Sequence, residues 1–78
     1  MILMIFENAG DFERCINVVK LKLNAGNIVV SDKVLHEITR DIMNISYAKG
    51  GGYSPDIIAA FTDGYIEHGL FKKYMENE

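Results

Sequence analysis

Tryptophan is absent from the chain, and cysteine and proline occur once each, as Cys15 and Pro55. A lone cysteine excludes a disulfide framework, and without a Cys/His cluster there is no zinc-ligand spacing. It points to a reducing compartment. Bases are scarce too: eight against eleven acids, for a net charge of −3. That is too little positive charge for a typical binder of the phosphate backbone. The acids are scattered from Glu7 to Glu78 without a run, so nothing resembles a nucleic-acid mimic either. The apolar opening, Met1 to Phe6, has only six residues and no basic segment before it. It is too short for a signal peptide or a membrane span. A soluble, cytoplasmic protein is expected. Internal repeats, low-complexity tracts and linkers are missing as well.

What is present fits one small folded domain, residues 1–78. Hydrophobic residues make up 49% of the chain and charged residues 24%, a globular balance rather than a disordered one. A domain of this length buries only about 60–65% of the surface its unfolded chain exposes. Lysine outnumbers arginine six to two, and Ile, Asn and Tyr are plentiful. Such usage follows AT-rich coding and points to a bacterial, phage or mobile-element gene.

The local patterns predict an α+β domain, with an all-α bundle as the alternative. Met1 to Glu7 is a continuous apolar run of strand length, expected to be a strand over about 1–7. From Asp11, the residues Phe12, Cys15, Ile16, Val19 and Leu23 share one helical face, which predicts a helix over about 11–24 ending near Gly26. Val18 and Leu21 fall off that face. "VKLKLNAGNIVVS" also alternates, so a hairpin across Asn24 to Asn27 competes. The β-branched "NIVVS" predicts a short strand over about 27–31. Ser31 or Asp32 then caps the clearest helix, about 32–49, with Val34, Leu35, Ile38, Ile42 and Ile45 as its stripe. A third helix opens at Ser54-Pro55 and runs to 68 or to 76, with Gly64 and Gly69 as candidate breaks.

"AKGGGYSPD" raises the question of a phosphate cradle. Neither GxxxxGK[ST] nor GxGxxG is present. Pro55 removes an N–H donor, and Asp56 puts negative charge where a phosphate would sit. The expected role is a flexible connector into a capped helix, with Tyr53 as a contact residue carried by the loop. "HEITR" echoes HExxH, but Arg40 stands where the second histidine is required, so no metal site is expected. Cys15 lies on an apolar face and reads as core. Glu37 and Asp41, spaced i and i+4 with Arg40 between, read as a solvated helix face. No catalytic constellation and no cofactor-binding signature emerges.

One surface does. On the second helix, His36, Arg40, Met43 and Tyr47 fall within about a 60° arc at 100° per residue. Arg, Met and Tyr are favoured at protein interfaces. With Tyr53 they form the expected binding set. The function expected is a non-enzymatic protein-interaction module: a regulator, adaptor or stoichiometric inhibitor. Two alternatives stand beside it. One is a nucleic-acid binder using Lys33, Arg40, Lys49, Lys72 and Lys73. The other is a small-ligand binder at a subunit seam using Tyr53, Tyr65 and His68.

A two-stranded sheet is marginal in water, and the last helix is apolar on two sides, so a homodimer is expected. Light scattering at micromolar concentration checks this. The expected mass is twice that of the 8.8 kDa chain, and a mass equal to one chain rejects the dimer.

Overall fold

A computed structural model describes residues 9–75 of the chain. They form helices α1 (Ala9–Ala25), α2 (Asp32–Ala48) and α3 (Pro55–Glu67), then a single helical turn, α4 (Lys72–Met75). The α+β expectation is therefore overturned, and the all-α alternative fits. No strand forms among the described residues. The strand expected over 1–7 lies outside them.

The segment 27–31 forms no strand: Asn27 is a turn residue with φ 61°, and 28–31 is irregular and takes part in no sheet ladder among the described residues. Its alternation has a different cause. Ile28 and Val30 turn inward against the core, while Val29 is 81% exposed. The backbone N–H of Ile28 is already used, donating to the Leu23 carbonyl at 2.9 Å. The competing hairpin fails for a related reason. Val19 and Leu23 are buried on the helix face, and Leu21 between them is 70% exposed.

Contacts between helices give the direction of each. Cys15 meets Tyr53 and Lys22 meets Asp63, so α1 and α3 run the same way. Phe12 lies by His36 and Leu23 shares a pocket wall with Leu35, so two residues far apart on α1 meet neighbouring positions near the start of α2, and α1 crosses α2 rather than running along it. Helices α2 and α3 are antiparallel, since Ser46 meets Gly52 before α3 and Asp41 meets Tyr65 near its end, and the core lies where the three helices meet. Cys15, Val19 and Leu23 come from α1, Val34, Leu35, Ile38, Ile42 and Met43 from α2, and Ile58 and Tyr65 from α3. Fully buried Thr39 and Thr62 donate their hydroxyls to the carbonyls one turn back, Leu35 and Ile58, at 2.8 and 2.6 Å. Those bonds remove the cost of burying an unpaired hydroxyl.

All three long helices end in the same closure. The residue just past the helix takes a left-handed backbone, and the next amide reaches five residues back. After α1, Asn27 has φ 61° and the Ile28 N–H meets the Leu23 carbonyl. After α2, Gly50 has φ 78° and the Gly51 N–H meets the Ser46 carbonyl at 2.7 Å. After α3, Gly69 has φ 70° and the Leu70 N–H meets the Tyr65 carbonyl. Gly69 is thus the break, while Gly64 stays inside α3. At the other end of α2, Ser31 accepts from the Val34 N–H at 3.2 Å. Ser54 makes no such side-chain bond, and α3 starts on Pro55 alone.

The triple glycine is a built corner rather than a loose connector. Gly50 supplies the left-handed turn, and Gly52 has φ 82°. Between them, a Cβ on Gly51 would stand 2.8 Å from Ser46 Oγ and 3.1 Å from Ile57 Cγ2. Ser46 has nowhere to go, since it is fully buried and its hydroxyl donates to the Gly52 carbonyl. Two glycine substitutions should therefore move stability in opposite directions. Gly51→Ala should cost about 1–3 kcal/mol through crowding. Gly64→Ala should add about 0.5–1 kcal/mol, because the position is helical and no atom lies within 4 Å of the new methyl. Urea unfolding of both variants reads the two signs.

Candidate functional site

The expected arc on α2 is only partly a surface. His36, Arg40 and Tyr47 are exposed, Tyr47 by 62%. Met43 is not part of it; it is wholly buried in the core. A helix packed on one neighbour buries a narrow stripe, but α2 packs on both α1 and α3. Its buried residues run from Val34 round to Met43 over roughly 180° at 100° per residue. Met43 sits at the edge covered by the second neighbour. Tyr53 is half-buried against the core, and its carbonyl faces the Cys15 thiol at 3.9 Å.

His36 and Arg40 do come together, with Phe12 of α1. The Phe12 and His36 ring centroids are 5.6 Å apart, and the Arg40 guanidinium lies 6.0 Å from the Phe12 centroid. The His36 Nδ1 lies 2.7 Å from the Asp32 carbonyl. Together these contacts anchor the start of α1 to α2.

Cys15 is a core residue, as expected. Burial, with the Asp11 carboxylate adding, pushes its thiol up, away from the thiolate form that nucleophilic work needs. No cluster of metal-ligating side chains occurs among the described residues. None of their helices is long and apolar enough to cross a membrane.

Of the bases named for the nucleic-acid alternative, Arg40 and Lys73 both come near Tyr74, but Lys33 and Lys49 do not converge. Lys33 and Lys49 lie at opposite ends of α2, about 24 Å apart along a helix rising 1.5 Å per residue. Lys73 is engaged with Asp41 at 3.1 Å.

Asp41 was read from sequence as part of a solvated face, and the structure corrects this. Its Oδ2 accepts from the Tyr65 hydroxyl at 2.9 Å and from the Tyr74 hydroxyl at 2.6 Å, besides pairing with Lys73. One carboxylate thus joins α2, α3 and α4. Burial first, and then the bond to Asp41, push both phenols up, Tyr74 to about 12.

Beside this junction lies a groove of about 340 Å³ between α2 and α3. Ile45 and Lys49 of α2 form one wall, Ala60, Phe61, Gly64 and Tyr65 of α3 the other, and His68 and Leu70 close one end. No α1 residue lines it. Tyr65 and His68, named for the ligand alternative, share this groove, whereas Tyr53 does not line it. The residues missed were Asp41, Ile45, Phe61 and Leu70. A weak signal existed: Phe61 and His68 stand at helical spacing from the core residue Tyr65 and widen its apolar face.

Scans against family models, curated proteins and solved structures each return no match for this chain.

The tyrosine junction makes alkaline pH informative. A neutral Tyr74 is favoured by folding, so its contribution is complete below about pH 10, the value for a free phenol. It is lost as pH rises through its folded value of about 12. Phenolate absorbance at 295 nm should show this late-titrating group in the folded protein. Tyr74→Phe should delete it.

Proposed function

We propose that the protein is a small non-enzymatic interaction module, a regulator, adaptor or stoichiometric inhibitor, acting in the cytoplasm. In this reading the α2–α3 groove receives an apolar helix of a partner protein with carboxylates at its flanks. The observation that carries it is the make-up of the groove. Its walls are Ile45, Phe61 and Leu70, and its rim carries Lys49 and His68 but no carboxylate. Leu70 is 45% exposed there. A solvent-facing apolar recess with a basic rim matches helix-in-groove recognition. The volume falls within the range of small-molecule sites, but the trough is walled by two helices and suits several side chains of one partner helix better than a single compact ligand.

A homodimer remains part of the proposal, though the reason for it has narrowed. The last long helix buries Ile58, Thr62 and Tyr65 within its own chain. Among the described residues, the exposed large apolar side chains outside the groove are the scattered set Leu21, Val29, Tyr47 and Met75.

A random-peptide display selection on the intact protein tests the groove. Enriched peptides should pair an apolar helical face with Asp or Glu, and should lose about tenfold in affinity on Leu70→Glu or Lys49→Glu. Both positions are exposed, so circular dichroism melts should stay close to those of the parent. Enriched peptides that bind the two variants as tightly as the parent, or no enrichment at all, reject the docking site.

A further inference from the structure

The chain from Gly69 onward is built differently from the rest of the fold. A single turn such as α4 has too few internal hydrogen bonds to hold itself helical in water. None of its residues is buried, whereas each long helix contributes to the core. Its polar anchors converge on one acceptor. The Tyr74 hydroxyl and the Lys73 ammonium both reach Asp41 Oδ2, at 2.6 and 3.1 Å. Phe71 and Tyr74 rest half-buried against the core. The segment follows α3 at Gly69, where φ is 70°, so the chain enters it through a glycine turn. Its first residue, Leu70, is also a wall of the groove.

We propose that Leu70–Met75 is a releasable strap that closes one end of the α2–α3 groove and is held shut by the Asp41 carboxylate. The inference rests on the docking reading and adds its regulation. With the strap down, Leu70 stands at the groove mouth and limits the length of helix that can lie in it. With the strap lifted, the trough continues over the surface that Phe71 and Tyr74 cover, and the Asp41 carboxylate becomes available to a cationic group on the incoming chain. Segments held by few buried contacts open at low free energy while the rest of the fold stays intact. The Tyr65 hydroxyl keeps its own bond to Asp41 in either position, since α3 does not move.

Trypsin reads the strap without any partner, because cleavage after Lys72 or Lys73 requires α4 to open. Under limiting protease, the rate follows the open population. Tyr74→Phe removes one anchor and leaves the Asp41–Tyr65 bond in place. Asp41→Ala removes the shared acceptor of Tyr74 and Lys73, and that of Tyr65 with it. Cleavage at these two lysines, followed by mass spectrometry, should quicken about tenfold in Asp41→Ala, and by less in Tyr74→Phe. The Tyr74→Phe protein should keep the parent's thermal midpoint, which separates strap release from general unfolding. The groove is read with 1-anilinonaphthalene-8-sulfonate, an apolar anion suited to a basic-rimmed recess. Its fluorescence should rise in the same two variants, and Lys49→Glu should reverse the rise. Equal cleavage rates in all three proteins overturn the strap. Faster cleavage with unchanged dye binding overturns its role as a cover for the groove; the docking reading then stands or falls on the Leu70→Glu peptide result.

Discussion

The register of α3 against α2 is set where the chain turns between them, and it is set by contact with one small buried side chain. Ser46 is enclosed in the core and donates to the Gly52 carbonyl, while its own carbonyl takes the Gly51 amide. The turn therefore folds back onto the last turn of α2 and leaves no room for a Cβ at Gly51. With this corner fixed, α3 has one place to go. Ile57 and Phe61 fall beside the glycine corner, and Tyr65, one turn beyond Phe61, meets Asp41. Both the polar junction and the groove are consequences of that register.

Asp41 and the groove meet at Tyr65. The ring of Tyr65 is part of the core and of the groove wall, and its hydroxyl ends on the carboxylate. A buried phenol needs a partner for its hydroxyl, and a carboxylate at the protein edge supplies one at small desolvation cost. The same oxygen then serves the C-terminal turn through Tyr74 and Lys73. The exposed Lys22–Asp63 pair also joins helices, at 3.1 Å, but such a pair contributes little in water. Position relative to the core, more than the number of charges, decides which contact holds an element in place.

Much of the helical layout was legible because its signals are local. The Ser31 cap, the α2 stripe and Pro55 placed both ends of α2 and the start of α3 within two residues of those observed, while the end of the last helix stayed open between 68 and 76. The misreadings share a cause in longer-range facts. "NIVVS" has strand chemistry, but strandness needs a neighbour, and a connector resting one side on a core shows the same alternation. Asn27 was overlooked as the left-handed exit because Gly26 stood beside it; asparagine tolerates that conformation, and the Leu23 to Ile28 bond fixes which residue adopts it. Met43 looked exposed because one stripe was assigned to a helix that packs on two neighbours. Asp41 could not be singled out at all, since its partners lie 24 and 33 residues away.

The repeated left-handed exits bear on how quickly this chain reaches its structure. Each long helix is closed by bonds spanning only three to five residues, and each joins the next through a short connection. Most interactions are therefore close in sequence, a topology that folds in microseconds to milliseconds rather than seconds. Among the bonds that must wait for distant parts of the chain, beside Cys15–Tyr53 and Lys22–Asp63, are those on Asp41, and these alone reach the C-terminal turn. The C-terminal turn should accordingly be the last piece to settle, after the three long helices have assembled the surface it lies on.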